Sequence, residues 1–340
     1  MAGIESPVLT LIWFGILAFS VVMYVLMDGF VLGIGLLFAA APGETERDIM
    51  MQSVAPIWDG NETWLVLGGT SLFAAFPVAY AAMLSALYLP LLVMLAALVF
   101  RGVTFEFRFK ATKKRYLWNV AFNLGSAIAT LAQGIALGAF VQGFPVVDRQ
   151  YAGGPLDWLT PFSMMTGLAL MTGYMLLGST WLIIKTRDRL QDWAYRVTVP
   201  LLFTVVGFII MVSVWVPFLD TSIARRWFTW PNIAYLSPVP LLVAACTFGL
   251  YWAVQKRRER LPFIFTIMLF LLNYAGLAIS IWPNIVPPNT SIWEAASPPA
   301  SQLFLLAGTV LLIPVILTYT AYSYWIFRGK ITREVGYYLH

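Results

Sequence analysis

Three carboxylates interrupt stretches that are otherwise apolar. Asp28 sits in Met27-Asp28-Gly29-Phe30-Val31-Leu32-Gly33-Ile34-Gly35, and Asp59 and Glu62 sit in Trp58-Asp59-Gly60-Asn61-Glu62-Thr63-Trp64. A charged acid at the centre of a membrane helix costs on the order of 3 kcal/mol on insertion scales, so such residues mark function by default. Asp59 and Glu62 are three apart and would share a helix face. Two close carboxylates in a low-dielectric setting resist ionising together, which suits the relay of protons. Plainer accounts stand beside this one. Asp28 could pair with Arg101, which closes the third apolar run, or cap a break in its Gly-rich helix. Asp59 could bond to Asn61 or to nearby backbone, and Glu62 could be a structural hydrogen-bonder. Arg101 could simply snorkel to the cytoplasmic interface. The Gly29 and Gly33 pair has GxxxG spacing, which argues for close helix packing; no strand precedes it, so it is not a phosphate loop.

What the chain lacks narrows the chemistry further. Its 340 residues include one histidine, His340, and one cysteine, Cys246. No pair of axial histidines, His-rich metal site, Ser-His-Asp triad or internal disulfide can be built inside it. A metal or haem held by histidine must come from another chain. Hydrophobic residues make up 60% and charged residues 11%, against roughly 25% charged in soluble domains. Mean hydropathy is +0.79. That is an integral membrane protein. In such a chain the net charge of +5 reports topology rather than a nucleic acid partner. No Lys or Arg precedes the first apolar run, so the start does not resemble a cleaved signal peptide.

The elements that must hold these residues are nine apolar segments, at about 9–40, 51–76, 79–100, 117–143, 160–184, 198–219, 236–254, 262–282 and 302–327. Each is near the roughly 20 residues a helix needs to cross a bilayer. None alternates as a barrel strand would, so all are predicted helices. If the C-terminus is cytoplasmic, 18 of the 21 Lys and Arg residues fall inside and only Arg149, Arg225 and Arg226 fall outside. The positive-inside rule then puts the N-terminus outside. Asp28 and Asp59 would lie in the cytoplasmic half, roughly 18 Å and 12 Å from that end at 1.5 Å per residue. The basic, aromatic stretch 104–115 is predicted to lie on anionic lipid. Loops 144–159, 220–235 and 283–301 read as caps, most tryptophans as interfacial anchors, and Cys246 as inert.

At these residues a resemblance becomes specific. The run Asp28-Gly29-Phe30-Val31-Leu32-Gly33-Ile34-Gly35 resembles the DGFDLGxG signature of subunit II of cytochrome bd-type quinol oxidases, and Ala55-Pro56-Ile57-Trp58-Asp59-Gly60-Asn61-Glu62-Thr63-Trp64 resembles that family's APxWDGNxxW. The match continues in order through Leu72-Phe73-Ala74-Ala75-Phe76-Pro77, Phe100-Arg101-Gly102-Val103-Thr104-Phe105, Trp293-Glu294-Ala295-Ala296-Ser297 and Tyr319-Thr320-Ala321-Tyr322. Val31 stands where the signature has its second Asp, so no proton role carries over there. Glu294 stands where the family has Asp. The sequence around Tyr24 and Asp28 leans toward the cyanide-insensitive branch.

The resemblance implies an all-α membrane fold of two four-helix bundles (1–143, facing subunit I, and 160–282) with a peripheral helix at 302–327. Residues 1–340 would form one polytopic domain in a bacterial inner membrane. It implies a complex that oxidises quinol, reduces O₂ to water and builds a proton-motive force. Haems b and d and the quinol site would belong to a partner, subunit I. A small single-span subunit, and a quinone or lipid in the second bundle, would be compatible. Carried over by position, Asp59, Asp28 and Glu62 would form a cytoplasmic proton path and Trp64 an oxygen route. Trp58, Asn61 and Arg101 would surround them. Two rival classes remain at this point: a secondary transporter, which nine spans and Gly/Pro-interrupted helices also suit, and a purely structural assembly subunit.

Overall fold

The computed structural model describes residues 6–111 and 113–331. His340, named above, lies outside the described residues.

A backbone in hydrocarbon must satisfy its own N–H and C=O groups, so each apolar run winds into a helix. In chain order these are α1 (Ser6–Leu37), extended by a 3-10 turn at Phe38–Ala40, then α2 (Glu44–Gln52), α3 (Trp58–Ala75), α4 (Pro77–Lys110) and α5 (Arg115–Gln142). Next come α6 (Pro161–Lys185), α7 (Asp188–Leu219), α8 (Thr221–Phe228), α9 (Asn232–Leu236), α10 (Pro238–Gln255), α11 (Leu261–Ile281), α12 (Ile292–Ala295) and α13 (Pro299–Ile326). Two short antiparallel hairpins, β1 (Val146–Val147) with β2 (Gln150–Tyr151) and β3 (Asn284–Val286) with β4 (Thr290–Ser291), lie in two of the loops read as caps.

Among the described residues, eight helical stretches are long and apolar enough to cross a membrane: α1, α4, α5, α6, α7, α9 with α10, α11 and α13. The chain is therefore an all-α, multi-pass membrane protein. The expected second span, 51–76, differs. It breaks between α2 and α3, with turns at 53–57. Pro56 explains the break, since it has no N–H to continue α2 and disfavours a helical Ala55 before it. The remaining helix, α3, has 18 residues and opens with Asp59, Asn61, Glu62 and Thr63, which removes it from the apolar set.

Helix α1 packs against α3, α5 and α6, while α4 pairs with α5, α6 with α7 and α10 with α11. The α1/α6 crossing is backbone against backbone. A Cβ at Gly33 would fall 1.7 Å from the Tyr174 carbonyl oxygen, and one at Gly178 would fall 2.7 Å from Gly33 C. The close packing expected from the GxxxG spacing is present at Gly33. Helix α13 lies along α1 and α3 with little of itself buried. Its end is held by Lys185 of α6, whose Nζ donates to the Phe327 and Gly329 carbonyls and sits 5.0 Å from the Trp181 ring. The Ile331 N–H donates back to the Lys185 carbonyl at 2.7 Å.

The stretch 104–115, expected to lie along the surface, is not exposed throughout. Helix α4 runs through it to Lys110, and Arg108 is fully buried. Its guanidinium meets Asp48 at 2.7 Å, Glu44 at 3.2 Å and Asn119 Oδ1 at 2.6 Å, above the ring of Phe38. Arg115 also pairs with Asp48. The acids, Glu44 and Asp48, come from α2 and fall between the first two apolar segments. They supply Arg108 with partners better than water, so it folds inward. Asn123 completes this charged end by donating to the Gly35 and Leu36 carbonyls in the last turn of α1.

Candidate functional site

The sequence nominated Asp28, Asp59, Glu62, Trp64, Trp58, Asn61 and Arg101. The structure brings five of the seven together where α1, α3 and α4 meet, with Trp64 of α3 in the adjoining apolar cluster. Arg101 is the hub and is fully buried. Its Nη1 donates to Asp28 Oδ1 at 2.8 Å, and its Nη2 to Glu62 Oε1. Asp28 is also fully buried, whereas the Glu62 side chain keeps 28% of its surface accessible. The planar guanidinium suits this geometry because its fork can serve two carboxylates at once. Arg101 therefore does not snorkel; the pairing account of Asp28 is the one realised. With both acids ionised the three groups sum to one net negative charge, and a single proton brings the cluster to neutrality.

Asn61 ties the cluster to its surroundings. Its Nδ2 donates to the Met27 carbonyl at 2.8 Å, and its Oδ1 accepts from the Tyr324 hydroxyl of α13 at 3.0 Å. It does not bond to Asp59. Trp58 stacks on Phe105, with ring centroids 4.9 Å apart, and covers Gly102 beside Arg101. Trp58 and Trp181 are packed inside the protein rather than set as interfacial anchors. Trp64 is fully buried among Tyr24, Leu67 and Ile316, with Phe19 edge-on at 5.6 Å.

Asp59 is the exception. It lies in the first turn of α3 and is exposed, not about 12 Å along a continuous helix as the sequence reading had it, because that helix is broken at 53–57. The shared face with Glu62 holds only loosely: Glu62 turns to Arg101, while Asp59 points to the protein's surface. An acid in a first turn complements the helix dipole, which is reason enough for its local stability.

Sequence reasoning missed two tyrosines. Tyr24 lies one turn before Asp28, and Tyr174 crosses α1 at Gly29, where a Cβ would fall 2.7 Å from its ring. Both rings are buried. The i, i+4 spacing of Tyr24 and Asp28 was a usable signal; Tyr174 had none, since only the α1/α6 crossing brings it near.

Known proteins are similar to this chain over nearly its whole length. A sequence model of the family described as cytochrome bd terminal oxidase subunit II matches residues 9–327. The chain belongs to that family. It is 31% identical over 373 aligned positions to "Cytochrome bd-I ubiquinol oxidase subunit 2" of Escherichia coli (strain K12), covering 97% of each chain. It is 24% identical over 333 positions to "Cytochrome bd ubiquinol oxidase subunit 2" of Bacillus subtilis (strain 168), covering 95% of this chain and 97% of that one. In fold it is similar to a chain from "The structure of bd oxidase from Geobacillus thermodenitrificans", with a TM-score of 0.73, 16% identity and coverage of 92% and 97%. The expected membership is thus borne out, and with it the reading of an oxidoreductase subunit in a membrane.

Both departures from the family pattern now have a structural context. Val31 is fully buried in the apolar core between Phe30 and Leu32, with no polar neighbour role to inherit. Glu294 caps the short helix α12, exchanging hydrogen bonds with Ser291, and those bonds hold its exposed carboxyl below the usual range. The residues here do not fit an axially ligated haem. The one histidine is His340, and among the described residues there is no group of three or more His, Cys, Asp or Glu that could hold a metal.

Proposed function

We propose that this chain is the non-haem-ligating subunit II of a bacterial inner-membrane complex that oxidises quinol and reduces O₂ to water. In this reading α3 is a ninth crossing, which sets the N-terminus outside and the C-terminus in the cytoplasm. Helices α1, α3, α4 and α5 form a first bundle against the haem- and quinol-binding subunit I; α6, α7, α10 and α11 form a second, and α13 lies at the periphery. The supporting observation is the buried Asp28–Arg101–Glu62 cluster, built from the same motifs that carry the family resemblance. Haems b and d would supply the electron transfer and O₂ reduction from subunit I.

This chain's own residues would handle protons. Asp59, exposed at the start of α3, is the inlet. Glu62, one turn further and partly accessible, passes the proton to the side of Arg101, and Asp28 holds it on the buried side. Arg101 keeps the two acids in register and limits the cluster to one extra proton. Moving each charge against 100 mV costs about 2.3 kcal/mol, which quinol oxidation must supply. Trp64 and its apolar neighbours offer a water-poor route for O₂. The open apolar face of α7 around Gly207, Met211 and Phe218 would take a lipid or quinone tail. A small third subunit is compatible with the exposed surface of α13. The family match disfavours the transporter; the purely structural subunit is tested as follows.

Purified in mild detergent, the chain should show haem bands only together with a second, larger membrane chain. A stable, colourless and partnerless protein would refute the oxidase reading. In the complex, Asp59→Asn should slow turnover while haem content stays unchanged. Full turnover in Asp59→Asn would show that protons bypass it.

A further inference from the structure

Tyr24 stands one turn from Asp28 on α1, on the side away from the charged end of the helix. Its ring packs with Trp64 and Leu67 of α3 and Ile316 of α13. Its hydroxyl lies beside the Asp28 carboxyl, yet makes no hydrogen bond of standard geometry. Asp28 Oδ2, the oxygen that Arg101 leaves open, is likewise buried and unpartnered. A buried hydroxyl without a partner costs stability, and phenylalanine would fill the same space without that cost. Packing therefore does not account for the hydroxyl. Tyr174, the other fully buried phenol nearby, comes from α6 rather than α1, and its hydroxyl lies beside Gln133 of α5.

We infer that Tyr24 is a proton-relay residue, carrying the proton from Asp28 onward along α1 past the buried ion-pair cluster. This rests on the proton-path reading above and adds the step after Asp28. A phenol can relay without a net change of charge. The protonated Asp28 Oδ2 gives its proton to the Tyr24 oxygen, and the Tyr24 O–H bond breaks toward a water molecule on its far side. Asp28 is left as carboxylate, Tyr24 again bears one proton, and the water carries the other toward the partner subunit. There O₂ reduction consumes it. No electron moves in this step. The side chain lies beside the carboxyl rather than locked to it, so a small rotation closes the contact when the proton arrives.

The test uses the assembled complex. Tyr24→Phe should lower quinol-driven O₂ consumption about 10-fold, less than the ~100-fold that loss of a positioned acid or base costs, because water can replace a hydroxyl in part. The solvent deuterium isotope effect on turnover should rise. Haem bands and subunit ratio should match the parent, because the substitution removes only an unpartnered atom. Asp28→Asn, measured alongside, separates the two readings. If Asp28→Asn is slow and Tyr24→Phe is fast with an unchanged isotope effect, the relay role is overturned and the acid path stands. If Asp28→Asn turns over fully, the acid path fails and the relay fails with it. A Tyr24→Phe complex that loses activity together with its haem bands reveals a structural role and also overturns the relay.

Discussion

Arg101 shows how one side chain can be indispensable without being reactive. It sits fully buried between Asp28 and Glu62. Removing one partner of a buried ionic cluster costs about 3–5 kcal/mol, because the charges left behind are desolvated and unpaired. Arg101→Met should therefore keep the complex from accumulating, seen as loss of haem bands in membranes. Arg101→Lys keeps the charge but not the fork, and a single ammonium cannot satisfy both carboxylates in this geometry. It should assemble with a lowered thermal midpoint in detergent; a midpoint equal to the parent would refute the bridging role. At this scale the sequence was informative about Asp28 and Glu62, since acids inside apolar runs are costly wherever they end up. It was silent on Arg101, whose two accounts, snorkelling and pairing, differ only in how α4 is placed against α1. It misjudged Asp59 and Arg108 for a related reason: both depend on the break at Pro56 and on the acids of α2, features that appear only once the chain has folded back.

The helices meet at positions that leave no choice of residue. At Gly33 a methyl group would collide with the α6 backbone. Overpacking typically costs about 1–3 kcal/mol, and here no flexible side chain can yield. Gly33→Ala should separate α1 from α6 and lower the thermal midpoint of the subunit. Gly207→Ala is the control: nothing lies within 4 Å of its would-be Cβ, and alanine is favoured over glycine in a helix by about 0.8–1.0 kcal/mol. Its midpoint should hold or rise. The end of α13 gives a second element-level test. Lys185 grips the carbonyls of Phe327 and Gly329, while Lys330 pairs with Glu259. Hydrogen bonds from Lys330 and Gln191 hold the Glu259 carboxyl below its usual range. Its contribution is therefore complete above the ordinary carboxylate pKa of about 4.3 and fades as the pH falls through the lowered value. That contribution is small because the pair is largely exposed. Amide exchange at 327–331 should thus rise strongly in Lys185→Met at neutral pH, and only slightly in the parent on acidification. The span of α13 was readable in the sequence; the grip of Lys185 was not, because 142 residues separate it from Phe327.

At the scale of the whole molecule, hydropathy gave eight of the nine predicted crossings, with ends within a few residues except that α4 runs on to Lys110 and α7 begins at Asp188, each ten residues beyond the expected bound because charged helical turns extend past the apolar run. The ninth is legible only as a motif, since its polar opening is the candidate site itself. The orientation can be read directly. Cys246 is the chain's one cysteine and is buried in α10, so Cys246→Ser provides a thiol-free background. In intact, right-side-out cells or vesicles, an impermeant thiol reagent should label Val147→Cys and Arg225→Cys, and should spare Lys113→Cys and Arg258→Cys until the membrane is opened. All four positions are exposed. The opposite pattern would invert the topology and move the acid cluster to the outer half.

The ion-pair cluster also has a history within each molecule's synthesis. Asp28 precedes Arg101 by 73 residues and Glu62 precedes it by 39. At about 5–20 residues per second, the ribosome makes Asp28 roughly 4–15 s before its cation exists. During that interval α1 and α3 each carry an acid that lipid would reject. Only when α4 has been made does Arg101 stand beside both acids, so the pairing that makes α1 and α3 compatible with an apolar surrounding is completed by the last of the three helices to be synthesised.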